Sequence, residues 1–110
     1  MLDRILELLE SLSKRPQMYV HPVEVATIQS FLNGLEAGCY LAGLTISHET
    51  RGAAAASRGW KFRATGIVWH MKEKQLTDEQ IIHELITVEV EAFRLAAEGP
   101  EKGTGKGVGS

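Results

Sequence analysis

The sequence predicts an all-α fold, a small bundle of about four helices with a flexible, glycine-rich C-terminal tail. Apolar residues recur every three or four positions over most of the chain, which is the spacing of one helix face. Proline and glycine interrupt this pattern at a few places. Apolar residues make up 44% and charged residues 24%, as is ordinary for a globular domain. We expect residues 1–98 to form a single helical domain and residues 99–110 the tail.

The first two helices are separated by a proline-rich connection. The first is predicted over residues 2–13, and Pro16 should stop it because it lacks an amide hydrogen and pushes Arg15 out of helical geometry. Pro22 suits a first helical turn, so a second helix is predicted over residues 23–43. The two apolar stripes comprise Leu2, Ile5, Leu6, Leu9 and Leu12, then Ile28, Phe31, Leu32, Leu35, Cys39 and Ala42. Gly34 and Gly38 share a face, which suggests close approach of a neighbouring helix.

The middle of the chain has the weakest pattern. Residues 44–58 alternate only weakly and are predicted to form a loop with a helical turn at the four alanines, and an additional helix is the open alternative. A third helix is predicted from Arg58 or Gly59 to Glu73. Its first face carries Trp60, Ala64, Ile67 and Met71, and a second stripe carries Phe62 and Trp69.

The fourth helix has the clearest start. Thr77 and Gln80 have the spacing of a capping box, in which each side chain bonds the other residue's amide. The helix should end near Gly99-Pro100, and residues 101–110 alternate glycine with polar residues and bury almost nothing. The inward residues are predicted to be Ile82, Leu85, Ile86, Val90 and Phe93, with Ile81, Val88 and Ala92 widening the apolar arc.

Composition favours a cytoplasmic protein without a membrane span. Cys39 is the only cysteine, so no intramolecular disulfide can form, which fits a reducing cytosol. No window approaches the roughly 18 apolar residues of a membrane helix. The formal net charge of -2 gives no general attraction to nucleic acid. The charge is uneven, however: residues 51–74 hold six cations against one anion, a net +5, whereas residues 78–91 hold five carboxylates and no Lys or Arg.

No arrangement predicts catalytic, cofactor-binding or metal-binding residues. His83-Glu84 resembles the start of a zinc-protease motif, but Thr87 stands where the second histidine would be. Cys39 lies on an apolar stripe, where a thiol is inert. The glycines of the tail have no strand before them and no helix after them, as a phosphate loop requires. We therefore expect a non-enzymatic protein without a cofactor.

The basic segment 51–74 is the main interaction candidate. Arg58, Lys61 and Arg63 interleave with Trp60, and Trp69 follows on the same predicted helix. Cation–aromatic alternation is compatible with a protein-binding hot spot or with stacking on bases. The alternative is that at least one tryptophan belongs to the core and the cations are solvated, with some paired to carboxylates of the last helix.

A second, smaller candidate lies between the first two helices. Arg15 and Tyr19, beside His21, could form a small polar site there. Alternatively, Met18 and Tyr19 close the end of the bundle, with the tyrosine ring buried and its hydroxyl at the rim, and we favour this interpretation.

Several short motifs resemble a set of small uncharacterised bacterial proteins. These are Arg15-Pro16-x-Met18-Tyr19, then Phe31-Leu32-x-Gly34, then Ser57-x-Gly59-Trp60 and an acidic, apolar final helix, together spanning residues 14–94. The set has no settled activity, but some members look like immunity partners for secreted toxins. A similar Arg-Pro-Gly-Met-Tyr stretch occurs in the ATPase subunits of type II topoisomerases. Gln17 replaces its glycine here and the nucleotide motifs are absent, so that interpretation is set aside.

The functional expectation is a cytoplasmic, non-enzymatic domain that binds another protein, as an immunity-like or regulatory factor. Its interaction candidates are Arg15, Tyr19, Arg58, Trp60, Lys61, Arg63 and Trp69. The charge asymmetry between the third and fourth helices also suggests an antiparallel homodimer. The alternative is a nucleic-acid-binding protein that uses the basic–aromatic segment 51–74, which requires its cations to share one face without being neutralised.

Overall fold

The computed structural model is all-α, as predicted. It describes the backbone of residues 1–63 and 66–106 and the side chains of residues 1–63 and 66–98. This part of the chain contains the helices α1 (Leu2–Lys14), α2 (Val25–Leu41), α3 (His48–Ser57), α4 (Val68–Glu73) and α5 (Asp78–Lys106). Among these, no helix combines the length and apolarity that crossing a bilayer requires.

The ranges of helices α1 and α2 lie within two residues of the predicted ones, but the prediction that Pro22 lies in the first turn of α2 is wrong, because Pro22 precedes the N-cap residue Glu24. Helix α1 ends at Lys14, and Pro16 opens a single 3-10 turn, Pro16–Met18. At the start of α2, Glu24 and Thr27 form a capping box, in which the Glu24 amide donates to Thr27 Oγ1 at 3.0 Å. The buried side chains of the two helices are Ile5, Leu9 and Leu12, then Ile28, Leu32 and Cys39. The local signal at Pro16 was sufficient to place the end of α1, whereas Pro22 did not mark the first turn of α2.

The predicted loop at residues 44–58 is wrong over most of its length, because His48–Ser57 forms α3. Ser47 caps this helix by accepting a hydrogen bond from the Thr50 amide at 3.1 Å. Ala54 and Ala55 are completely buried. Helix α3 packs against α5, and small alanine side chains allow the two backbones to approach closely. Tertiary packing thus stabilises a helix whose own periodicity is weak.

The predicted third helix from Arg58 or Gly59 to Glu73 is also wrong over its first part. Residues 59–63 and 66–67 lie outside any helix, and only Val68–Glu73 forms a short helix, α4. Gly59 and Gly66 have φ angles of +85° and +96°, a region that favours glycine and ends helical geometry. Arg63 and Gly66 instead face each other across an isolated antiparallel bridge. Ala64 lies outside the described residues.

Helix α5 is the central element of the fold and packs against α1, α2, α3 and α4. Its predicted capping box is present: the Thr77 amide donates to Gln80 Oε1 at 2.8 Å, and the Gln80 amide to Thr77 Oγ1 at 3.2 Å. Because helices surround it on several sides, its buried arc is wider than one stripe. Ile82 and Val90 are only half-buried, and the buried side chains are Ile81, Leu85, Ile86, Val88, Glu89, Ala92 and Phe93.

The C-terminal end of α5 differs from the prediction. The helix backbone continues to Lys106, past the predicted end near Gly99-Pro100. The flexible tail at residues 99–110 stays a prediction, since residues 107–110 and the side chains of residues 99–106 lie outside the described part. The predicted close approach at Gly34 and Gly38 is not seen among the described residues, where a Cβ at either position would meet no atom of another segment within 4 Å.

Candidate functional site

Two tryptophans flank a buried histidine at the start of α4. The ring of His70 lies edge-on to Trp60 at a centroid distance of 5.4 Å and tilted by 30° against Trp69 at 5.2 Å. His70 is only 7% exposed. The backbone amide of Lys61 donates to His70 Nδ1 at 3.0 Å. The histidine therefore anchors the irregular segment after α3 to α4.

Glu84 of α5 ties the same segment to the central helix. Arg58 donates to its carboxylate twice, from Nε at 3.1 Å and from Nη2 at 2.6 Å. Trp60 adds a third hydrogen bond, from Nε1 to Glu84 Oε1 at 2.8 Å. The Arg58 hydrogen bond is the main reason why the pKa of Glu84 lies below its ordinary value, and the same bond raises the pKa of Arg58. Pairing with a carboxylate of the last helix, one of the alternatives raised by the sequence, is thus present at Arg58.

Arg63 and Trp69 form the outer part of this region. The Arg63 guanidinium carbon lies 3.8 Å from the centroid of a Trp69 ring, a cation–π arrangement. Trp69 is fixed in place by a hydrogen bond from Nε1 to the Gly66 carbonyl oxygen at 2.9 Å. Lys61 and Arg63 are exposed, and neither has an ion pair among the described residues. Five sequence candidates thus lie around His70, and we call this set the basic–aromatic surface: Arg58, Trp60, Lys61, Arg63 and Trp69.

The other two sequence candidates lie elsewhere. Arg15 is exposed and, with Tyr19, lines a shallow pocket at the junction between α1 and the 3-10 turn. The Tyr19 ring packs edge-on against Phe31 of α2 at 5.8 Å and keeps 39% of its surface exposed. The end-closing interpretation is therefore met only by the contact of Tyr19 with Phe31, because Met18 keeps 69% of its surface exposed and the tyrosine ring is not buried. No hydrogen bond, ion pair or ring contact joins either residue to the basic–aromatic surface within the described chain.

Sequence reasoning missed a buried ion pair between α3 and α5. Arg51 Nη1 and Nη2 donate to the Glu89 carboxylate at 2.7 and 3.2 Å, and Arg51 Nε lies 3.3 Å from Glu36 Oε2 of α2. Burial raises the pKa of Glu89 above its ordinary value, against the opposing effect of Arg51. The signal available in the sequence was Glu89 itself, a carboxylate between Val88 and Val90 inside the apolar arc of the last helix.

The chemistry of the other candidates follows from burial and geometry. Cys39 is buried, and desolvation raises the pKa of its thiol, which lowers its reactivity. Among residues 1–63 and 66–98, no group of three or more His, Cys, Asp and Glu side chains is placed to hold a metal ion. No known protein family, curated protein or solved structure matches this chain significantly.

Proposed function

We propose that this protein is a non-enzymatic domain that binds another protein through the basic–aromatic surface. The observation that supports this proposal most directly is the convergence of Arg58, Trp60, Lys61, Arg63 and Trp69 around one buried histidine. Tryptophan and arginine are the residue types most enriched at binding hot spots.

The fixed geometry of the surface favours binding. Trp60 and Trp69 are each half-buried, and each indole nitrogen already donates a hydrogen bond within the chain, so their exposed ring area can meet a partner with little loss of conformational entropy. Lys61 and Arg63 carry charges that no carboxylate in the described chain neutralises. The matching partner surface presents carboxylates around an apolar centre. An immunity-like or regulatory role in the cytoplasm belongs to this same proposal.

Nucleic-acid binding is the second candidate, and one observation favours it. Lys61, Arg63, Lys72 and Lys74 are exposed, and Arg63 lies over the indole ring of Trp69, a combination of cations and aromatic rings that single-strand-binding surfaces use. Two other cations of segment 51–74 are neutralised, because Arg51 pairs with Glu89 and Arg58 with Glu84. Nucleic-acid binding requires the basic charges of this segment to act together without being neutralised, and this requirement is only partly met. We therefore rank nucleic-acid binding below protein binding.

The predicted homodimer depended on a basic helix meeting an acidic helix of a second copy. Arg58 and Glu84 instead pair within one chain at 2.6 Å, which uses part of that complementarity. The homodimer remains a secondary proposal. Light scattering of the purified protein across a salt series tests it: a mass of two chains that falls as salt rises supports it, and a single-chain mass at low salt and high protein concentration contradicts it.

Photo-crosslinking in the source cell tests the protein-binding proposal. A photoreactive amino acid replaces Lys61 or Lys72 on the basic–aromatic side, and Arg4 on the exposed face of α1 serves as the matched control position. We expect one protein adduct from the first two positions that is lost when Arg63→Glu is added, and no such adduct from position 4. Adducts that contain only nucleic acid would favour the second candidate, and equal adducts from all positions would contradict both.

A further inference from the structure

A separate cleft lies between α2, α3, α5 and the segment around Phe62. Its volume is about 350 Å³, within the range of small-molecule sites. Its apolar lining consists of Leu32, Ile67, Leu85 and Val88. Phe62 and His48 form an aromatic edge, with a centroid distance of 6.0 Å. The cleft is distinct from the basic–aromatic surface and shares none of its residues.

Three polar residues of α2 line the same cleft, and the first two of them have no hydrogen-bond partner among the described residues. Gln29, Asn33 and Glu36 follow at helical spacing, so they project from one side of the helix. The amides of Gln29 and Asn33 make no hydrogen bond among the described residues. Arg51 Nε is buried and has no hydrogen bond either, although Glu36 Oε2 lies 3.3 Å away. Gln29 is half-buried and Asn33 is exposed, so a ligand in the cleft can reach the oxygen atoms of both amides as hydrogen-bond acceptors.

The charges in the cleft favour a cation. Arg51 contributes one positive charge, whereas Glu36 and Glu89 contribute two negative charges, which leaves a net charge of -1. The bidentate pair with Glu89 occupies most of the guanidinium of Arg51. An anionic ligand would therefore meet two carboxylates and a cation that is already paired.

We propose that this cleft binds a small organic cation, an ammonium or guanidinium group on a short aliphatic chain. The cationic head lies against the Glu36 carboxylate and donates its remaining hydrogen bonds to the side-chain amide oxygens of Gln29 and Asn33. The ring of Phe62 offers a cation–π contact at the edge. The aliphatic chain covers the apolar lining. The ligand can be a free amine or the basic side chain of a peptide, since both present this chemistry.

Ligand-observed and protein-observed NMR with three molecules of the same chain length tests the proposal. The probes are 1,4-diaminobutane, 1,4-butanediol and succinate. We expect only the diamine to shift the side-chain amide signals of Gln29 and Asn33 and the ring signals of Phe62. Glu36→Gln should weaken this binding about tenfold or more, because it removes a charged hydrogen-bond partner. Glu7→Gln, at an exposed position of α1, is the matched control and should leave binding unchanged.

Further measurements distinguish a free amine from a peptide side chain as the ligand. A second variant provides a test that does not depend on the folding of Glu36→Gln. Lysine and arginine with blocked amino and carboxyl termini represent the basic side chains of a peptide. If these molecules bind more tightly than the diamine, the natural ligand is a peptide side chain, and if the diamine binds more tightly, it is a free amine. Asn33→Leu, at an exposed position, removes one acceptor while Glu36 is retained, and should also weaken binding. Three results would overturn the proposal: shifts from the diol or succinate equal to those from the diamine, diamine binding that is unchanged in Glu36→Gln, or no shift with millimolar diamine. Each of these results is independent of the outcome for the basic–aromatic surface.

Discussion

Arg51 and Glu89 face each other across the interior as a bidentate ion pair, with N–O distances of 2.7 and 3.2 Å. The two residues are 38 positions apart and join α3 to α5. Glu89 is 6% exposed, so removing either partner leaves the other charge poorly solvated. This pair makes α3 depend on the central helix, although nothing in the local sequence of α3 requires it.

Breaking this pair should destabilise the protein strongly. Glu89→Leu leaves Arg51 buried with only Glu36 nearby, and we expect the free energy of unfolding to fall by about 3 kcal/mol. Urea denaturation followed by circular dichroism measures the change. The exposed Lys14–Glu10 pair provides the control, since Glu10→Gln should cost less than about 1 kcal/mol. The double variant Arg51→Met/Glu89→Leu should recover much of the loss. Equal losses in the single and double variants would contradict this account.

Glu84 should make stability depend on pH in the acid range. The pKa of Glu84 is lowered in the folded state, chiefly by its hydrogen bonds from Arg58, relative to its ordinary value of 4.5. Its contribution is therefore fully present above pH 4.5 and is lost as pH falls through the folded-state pKa. Because the Arg58 side chain is 41% exposed, solvent screening limits this contribution to about 1 kcal/mol.

Urea midpoints of the wild type and Glu84→Gln between pH 7 and pH 3 measure this effect. We expect the gap between the two proteins to be largest at neutral pH and to narrow below pH 4.5. Glu7→Gln, on the exposed side of α1, is the control and should track the wild type throughout. A gap that stays constant across this range would show that the Glu84 carboxylate does not act through its charge.

His70 should be needed for the arrangement of both tryptophans. His70→Ala removes the ring between Trp60 and Trp69 and leaves the Lys61 amide without its acceptor. We expect a loss of about 2 kcal/mol in the free energy of unfolding and a weaker near-ultraviolet circular dichroism signal from the tryptophans. His83→Ala, at an exposed position of α5, should change neither quantity. An unchanged tryptophan signal in His70→Ala would be inconsistent with the described ring packing.

The cap of α3 should contribute measurably to stability. Ser47→Ala removes the acceptor for the Thr50 amide, and we expect a loss of about 1 kcal/mol, the usual effect of deleting a helix cap. Ser13→Ala, at an exposed position within α1, serves as the control and should have little effect. Chemical denaturation measures both variants. If residues 48–57 formed a loop instead of a helix, the two serine variants would behave alike.

Glycine substitutions should have opposite effects in different parts of the fold. Gly34 and Gly38 lie inside α2 with no atom within 4 Å of an added Cβ, so alanine at either position should stabilise the protein by about 0.5–1 kcal/mol. Gly66→Ala should destabilise it instead, because its φ of +96° disfavours a side chain. Urea denaturation of dilute protein measures all three. Destabilisation by Gly34→Ala would indicate that another molecule covers this face.

The elements with local physical causes could be predicted from the sequence alone. Pro16 ends α1 because it lacks an amide hydrogen, and Thr77 with Gln80 begins α5 because their side chains satisfy free backbone amides. Apolar spacing identified the buried sides of α1 and α2, which each require only one stripe. The sequence also singled out the five residues of the basic–aromatic surface, although it placed them on one helix of which only Val68–Glu73 forms.

The way in which distant segments meet could not be predicted from the sequence and follows from long-range packing. Helix α3 exists because Ala54 and Ala55 pack on α5 and Arg51 reaches Glu89, and neither contact is visible in a short window of sequence. Arg58 and Trp60 are joined to Glu84 across 26 and 24 positions, which makes an irregular segment part of an ordered surface. Weak local preferences are overridden by such contacts, since burial and charge pairing at a distance contribute more free energy than the intrinsic helix propensity of a few residues.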